Sequence, residues 1–418
     1  MTDHYILILG GEFPLRERVL AGALRASDGM HIITMAKNRT TSTIKFFDDY
    51  ISGDVADADG VLSAVKAYEQ KTGATPLAVI PMNDFTVRAA SLVTEYYGLK
   101  GNSRETIHKC RDKLVMKQIL QDAGLPVPRF AAFNTVEALK LHIGEIGLPV
   151  VIKPREMAGS LGVIKISRED EIESSFARSV ADVLSINGEA HAPEDLFLVE
   201  EYVPAWQGVS VEVINQGEYH RAIAVTDKYL GAEPYFVEVG HSVPSMYSDN
   251  AQLREMAERA CHALGIHYGV AHFEARITPS GVIKIIEVGA RTGGDTIMDL
   301  VERCYGVNPY ELHVASHLGR LTPLPERLCA RGLSAVAFIK AAEGVIEKVN
   351  LPGSLPEYIV NMQVTAKPLD VSKKLVSWKN REGSMEFFWP NRQPEEGFRE
   401  HLHITENYAS SLFTMRQA

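Results

Sequence analysis

The chain has 418 residues, of which 45% are hydrophobic and 23% charged, and a formal net charge of −10. That length supplies core for roughly two or three domains. The acidic balance argues against a broad nucleic-acid or anionic-membrane surface, while leaving room for a local basic site. Cys110, Cys261, Cys304 and Cys329 are far apart and form no C-x-x-C pair. We expect buried thiols in a reducing, cytoplasmic setting, not a disulfide or zinc framework. No run of about 18 apolar residues predicts a membrane span, and the first residues lack a basic-then-apolar leader pattern.

Tyr5 to Leu9 is an apolar strand ending in Gly10-Gly11, followed by a predicted helix from about Leu15 to Ser27 and a strand from His31 to Met35. Ala56 to Thr72 has helical periodicity, Pro76 to Ile80 is a strand ending at Asp84, and Phe85 to Tyr97 is helical. Residues 1–105 therefore read as a small doubly wound α/β domain. Gly10-Gly11 is not a G-x-G-x-x-G, which argues against a nicotinamide site.

Arg104 to Ala123, with Arg111-Asp112-Lys113, is predicted as one amphipathic helix ending at Gly124 and the Pro126-Val-Pro128 break. After a helix over Val136 to Ile146, an apolar strand ends in Lys153-Pro154. The loop 156–163 contains Gly159, Ser160, Leu161 and Gly162, small enough for backbone amides to approach phosphate oxygens. No G-K-[ST] follows, so it is not a Walker A loop, and an ordinary flexible hairpin would look the same. Asp170 to Leu184 is helical. Leu196 to Val203 is a strand containing Glu200-Glu201-Tyr202-Val203. Val209–Ile214 and His220–Thr226 form a hairpin followed by Asp227-Lys228; Gly231 to Ser245 reads as irregular, and Asn250 to Leu264 as a helix.

Val270 to Ile277, the turn Pro279-Ser280-Gly281 and Val282 to Val288 read as strand, turn, strand. Residues equidistant from the turn face each other in such a hairpin, which brings Glu274 and Glu287 together. Two carboxylates among apolar strands require a cation, and Mg²⁺ uses one or two such groups. On a wet surface hairpin the same pair would simply be solvated. The strand runs into Arg291-Thr-Gly-Gly-Asp295, a fixed cation in a small-residue loop. Helices are expected at Thr296–Tyr305 and Asn308–Leu318. Short strands are expected at Leu333–Ala341, Gly344–Val349, Gln363–Pro368 and Gly383–Trp389, so residues 326–418 read as a β-rich lobe with a final helix.

These motifs, in this order, resemble the ATP-grasp superfamily of carboxylate–amine ligases over about residues 1–345. The resemblance implies a mixed α/β and α+β chain. An N-terminal α/β domain (1–105) precedes an ATP-grasp domain (106–325) with a linker near 200–205, and a β-rich C-terminal lobe (326–418) follows. It implies that Lys113, Lys153 and Lys228 hold ATP phosphates and that Gly159, Ser160, Leu161 and Gly162 cover them. Glu200, Glu201, Tyr202 and Val203 would meet adenine, with Glu200 or Glu201 accepting from its amino group. Glu274 and Glu287 would bridge Mg²⁺, or Mn²⁺ in its place, and Arg291 would face an acyl phosphate or a substrate carboxylate. Gly289 stands where the family often has Asn, and Trp206-Gln207-Gly208 where it has a ribose-binding carboxylate, which Gln207 replaces only in part.

Within the superfamily, Asp227-Lys228-Tyr229, Tyr235 to Glu238, Gly240 to Pro244 and Glu287 to Asp295 look most like the L-amino acid ligases. The implied reaction joins an amino-acid carboxylate to an amine through an acyl phosphate. Small-molecule amino acids would be the partners, with no nucleic acid or membrane involved; a homodimer is compatible. His241 is assigned to a substrate-carboxylate or base contact, with an idle loop histidine as the alternative. His272 is placed towards the phosphates, and His262 and His267 are read as structural. A biotin-dependent carboxylase, another amide ligase and an ATP-binding module without turnover are the rival readings.

Overall fold

The computed structural model describes residues 3–11, 17–37, 46–187, 197–205, 208–320, 323–397 and 399–416. Gln207, the expected ribose contact, lies outside them. The first unit contains β1 (His4–Leu9), α1 (Glu17–Ser27), β2 (His31–Ala36), β3 (Asp49–Ser52), α2 (Ala58–Thr72), β4 (Thr75–Pro81) and α3 (Val87–Tyr97). Its four strands are parallel in the order β3-β2-β1-β4. Ile6, Leu7, Ile8 and Leu9 are fully buried because helices cover both faces of this sheet.

The chain continues through α4 (Arg104–Arg111), α5 (Lys113–Asp122), β5 (Phe130–Phe133), α6 (Val136–Ile146), β6 (Val150–Pro154), β7 (Ile164–Ile166), α7 (Ile172–Asn187) and β8 (Phe197–Glu201). The single helix expected over Arg104 to Ala123 is two helices. Asp112 is extended (φ −87, ψ 105), closes α4, and accepts from the amides of Leu114 and Val115 to start α5. An aspartate is better used as an N-cap than inside a helix. Strands β5 to β8 form an antiparallel sheet in the order β5-β8-β6-β7.

Next come β9 (Gly208–Gln216), β10 (Tyr219–Leu230), β11 (Glu238–Val243), α8 (Ala251–Leu264), β12 (Tyr268–Ile277), β13 (Ile283–Gly289), α9 (Ile297–Tyr305) and α10 (Pro309–His317). The last part holds β14 (Gly332–Ile339), β15 (Gly344–Val349), β16 (Ile359–Val364), β17 (Val371–Ser372), β18 (Gly383–Pro390), α11 (Glu400–Leu412) and β19 (Phe413–Met415). Eight strands make one sheet in the order β13-β12-β9-β10-β11-β14-β18-β16. The β-rich C-terminal part thus joins the central sheet edge to edge, through β11 and β14.

Two further expectations change. The segment 231–245, read as irregular, contains β11, whose pattern is masked because both of its edges are paired and Gly240 interrupts the apolar run. The strand expected over Gln363 to Pro368 lies earlier, as β16, set by its pairing with β18.

One face of the large sheet packs on α5 and α8. Val211, Val213, Phe273, Ala275, Ile285 and Val288 meet Met116, Leu120, Leu253 and Ala257 there. Burying a side chain such as Phe273 contributes roughly 1.5–3 kcal/mol. The N-terminal unit is held to the rest by a shared core of Ile6, Ile8 and Leu20 with Ile297, Leu300 and Tyr310.

Candidate active site

Residues that alternate with this core point to the opposite face of the sheet. On β9 that places Glu212 outward, and on β12 His272 and Glu274; His272 lies opposite Glu212 in register. Glu274 lies directly opposite Glu287 of β13, as the hairpin symmetry predicts. On β10, Lys228 lies opposite His241 of β11. A row of ionisable groups therefore sits on one face of strands whose other faces are oil-packed.

Each of the paired acids has an ammonium partner. Lys228 Nζ bonds Glu274 at 2.5 Å and Glu238 at 3.1 Å, and Lys113 Nζ lies 3.1 Å from Glu287. Burial works against ionisation of Glu274, but Lys228 and His272 outweigh it and hold the carboxyl well below its ordinary range. Lys228 is also buried, yet Glu274 and Glu238 raise its affinity for the proton. The side chains of Glu274 and Glu287 remain 27% and 26% exposed, so both carboxylates open on the cleft. Facing carboxylates on paired strands are a hard-oxygen donor set, which fits a hard divalent cation.

His272 bridges two acids: Nδ1 is 2.6 Å from Glu212 and Nε2 is 2.9 Å from Glu274. Burial alone would make its imidazolium more acidic; Glu212 and Glu274 reverse that and raise it. The structure places it in a carboxylate chain, because Glu212, fully buried, needs a charged partner.

Arg291, partly buried just past the end of β13, donates from Nε to Asp84 at 2.8 Å and from Nη1 to the Thr292 carbonyl at 3.0 Å. Arg111 meets the other Asp84 oxygen at 3.1 Å. Burial would raise the Asp84 carboxyl, but the two guanidinium groups pull it down to about 2.

Glu200 at the end of β8 is 2% exposed; Lys153 donates to its Oε2 at 2.9 Å, and Lys117 Nζ lies 3.2 Å from its Oε1, which accepts no hydrogen bond. Glu201 is held by Arg129 at 2.7 Å. The adenine contact expected of Glu200 or Glu201 would therefore be made by a carboxylate that already faces cations; the buried lysines hold the charge of Glu200. Tyr202 and Val203 follow at the same strand end, with Tyr202 bonded to Glu233 at 2.8 Å. Lys117 is fully buried on α5, and burial lowers its ammonium to about 8 despite Glu200.

The loop between β6 and β7 is anchored from below. Lys113 donates to the Met157 carbonyl at 2.7 Å, and the Lys113 amide to Arg155 at 3.1 Å. Gly159, Ser160 and Gly162 all have left-handed backbones (φ 69, 58 and 70). A Cβ on Gly159 would lie 3.0 Å from the Trp378 ring. Leu161 stands between these turns, partly buried.

His241 is 1% exposed and lies 3.4 Å from Asp295; its ring meets Phe338 edge to face. Asp295 in turn binds Arg381 at 2.8 Å, and Arg381 lies over Phe338 at 3.6 Å. Burial opposes ionisation of Asp295, while Arg381 and His241 favour it strongly. Asp295 and Thr296 both have positive φ (52 and 64), strain that packing at a functional site sustains.

The fold therefore gathers Lys113, Lys228, Glu274, Glu287, Arg291 and His241 along one cleft, with Lys153 and Glu200 beside it. Sequence reasoning passed over Asp84, Lys117, Glu212, Glu238, Asp295 and Arg381 as site residues. Asp84 carried a faint signal, since a carboxylate just past a parallel strand faces the crevice of such a domain. Glu238 and Asp295 lay inside stretches that carried the family resemblance but were given no role; Lys117, Glu212 and Arg381 are distant in sequence from their partners and carried no signal.

Residues 146–299 match the family model of the ATP-grasp domain. The chain is 27% identical over 252 residues to an alanine–anticapsin ligase of Bacillus subtilis, covering 56% of this chain and 52% of that protein. An L-arginine-specific L-amino acid ligase of Bacillus subtilis is 22% identical over 324 residues, 73% of each chain. The chain spans 52% to 63% of the length of the first curated relatives it matches. The crystal structure of an L-amino acid ligase from Bacillus licheniformis superposes with a TM-score of 0.79 at 16% identity, over 100% of this chain and 99% of that one.

Proposed function

Residues 146–299 form an ATP-grasp domain, and from that premise we propose that the protein is an ATP-dependent ligase that joins an amino-acid carboxylate to an amine. The observation that carries this reading is the register pair Glu274–Glu287, each acid with its own lysine and Arg291 at the end of the second strand. Glu274 and Glu287 would hold Mg²⁺, which supplies charge neutralisation for phosphoryl transfer when bound.

The remaining chemistry belongs to the chain. A carboxylate oxygen attacks the γ-phosphorus of ATP, the bond to the β-phosphate oxygen breaks, and ADP leaves with an acyl phosphate formed. Lys228, Lys113 and Lys153 line the path of the transferred charge and lower its cost in a dry cleft. Loop 156–163 shields the acyl phosphate from water. An amine then attacks the acyl carbon, phosphate leaves, and the amine gives up one proton. Arg291 faces the developing oxyanion, held in place by Asp84. His241 and Asp295 stand beside Lys228, where a substrate carboxylate or ammonium group is oriented.

The test is ADP release with Mg²⁺-ATP across single and paired L-amino acids, with mass detection of products. Release that requires amino acids, with a product one water lighter than the pair, supports the reading. Release driven by bicarbonate instead, or none under any pair, overturns it.

A further inference from the structure

A cluster of histidines sits outside the candidate active site, at the turn between β9 and β10. Glu218 lies in that turn, His220 begins β10, and His262 is in the last turn of α8. The side-chain ligand atoms of these three residues all lie within 4.8 Å of one another. His262 Nδ1 is 3.6 Å from Glu218, and the rings of His220 and His262 are 5.6 Å apart.

The state of His220 follows from its neighbours. Asn215 is fully buried, and its Nδ2 donates to the carbonyls of Val213 and Gly269, each at 3.0 Å. Its Oδ1 is thereby turned to His220 Nδ1, 2.9 Å away. An amide oxygen only accepts, so Nδ1 carries the hydrogen and Nε2 is left as a bare lone pair. Nε2 is buried and has no hydrogen-bond partner. A histidine with one nitrogen fixed by a carbonyl and the other presented unprotonated is the usual arrangement of a metal ligand. His267 takes a different part: its Nδ1 meets the Gly217 carbonyl at 3.2 Å and steadies the turn.

We propose that His220, His262 and Glu218 form a site for Zn²⁺, separate from the carboxylate pair of the cleft. Two imidazoles and one carboxylate are a borderline-soft donor set suited to Zn²⁺ and poor for Mg²⁺. Ligand atoms around tetrahedral zinc stand about 3.3 Å apart. The His262 and Glu218 side chains are 66% and 75% exposed, which leaves solvent-side room for rotamer changes that close that distance. Water completes the shell. The bound ion ties the β9–β10 turn to the end of α8 and so braces the sheet behind the cleft. A second such cluster among the described residues, His108, Asp112 and Glu156, lacks this quality, because Asp112 is committed to Arg155 and to the cap of α5.

Zinc binding is measured on the tag-free full chain by calorimetric titration with ZnCl₂, in excess Mg²⁺ and ADP to occupy the cleft. The site predicts one equivalent bound by the parent protein, with affinity at least about tenfold weaker in His220→Ala and in His262→Ala, and unchanged in His403→Ala, whose exposed histidine pairs with Glu406. Zn²⁺ should also raise Tm in the parent and not in the two ligand variants. His262 is exposed, so its variant reports even where His220→Ala folds poorly. No zinc bound by the parent, or equal affinity in the parent and His262→Ala, overturns the proposal. Neither result depends on which substrates the cleft takes.

Discussion

Arg291 and Asp84 are 207 positions apart and share a hydrogen bond of 2.8 Å. The pair fastens the glycine-rich segment after β13 to the end of β4 in the N-terminal unit. It also fixes the guanidinium beside Glu274 and Glu287, whose charges favour its protonated form together with that of Asp84. The N-terminal unit thus contributes to the cleft by aiming a cation that belongs to the sheet.

Asp84→Asn should test this clamp through pH. The Asp84 carboxyl is lowered from 3.8 to about 2 in the folded protein. Its contribution is therefore complete above 3.8 and is lost as pH falls through the folded value. By linkage the shift corresponds to about 2 kcal/mol. Urea unfolding should show the variant less stable by at least about that amount at pH 7, with the gap closing as pH falls from 4 towards 2. A gap that stays constant would remove the clamp.

Glu287→Gln keeps size and hydrogen bonding but deletes one carboxylate charge opposite Glu274. We expect ADP release to fall at least about a hundredfold, with Tm little changed because the side chain is partly exposed. Full Mg²⁺-dependent turnover in the variant would dismiss the metal assignment.

His272→Asn should lose the charge between Glu212 and Glu274. The folded imidazolium is raised above its ordinary 6.5. The stability it contributes is complete below 6.5 and is lost as pH rises through the folded value. Thermal melts of parent and variant should differ most at pH 6 and converge in alkali. A difference that grows with pH contradicts the bridge.

Lys117→Met should leave Glu200 with Lys153 alone, at a cost of about 1–3 kcal/mol. The Lys117 ammonium is lowered from 10.5 to about 8, so the parent gains stability relative to the variant as pH rises from 8 to 10.5. Parallel stability curves over that range would show that Lys117 is not buried as described.

Gly159→Ala places a side chain at φ 69 and against the Trp378 ring. The left-handed backbone alone costs about 1–2 kcal/mol. We expect a higher KM for ATP, with Tm changed little because the loop lies outside the main cores. An unchanged KM would separate this loop from phosphate binding.

The hairpin carrying Glu274 and Glu287 was legible because two local signals agree: a turn and two alternating strands fix which residues face each other. Lys153 was legible from its place at the end of an apolar strand, whereas Lys113, inside a predicted helix, was singled out only by the family resemblance. The break at Asp112 was not, since helical periodicity continues through it and only the capping bonds interrupt it. Strand β11 was hidden because paired edges on both sides, not its own residue pattern, make it a strand.

Local order alone thus determined the doubly wound opening, the paired acids, the strand ending in Lys153 and the small-residue loop, because each depends on neighbours within about a dozen positions. Only the tertiary structure decided which charges meet. Glu200 is claimed by Lys117 and Lys153, Arg291 by Asp84, His272 by Glu212 and Glu274, and Asp295 by Arg381. A buried charge takes whichever opposite charge the fold brings within reach, and that choice is made by packing between distant segments.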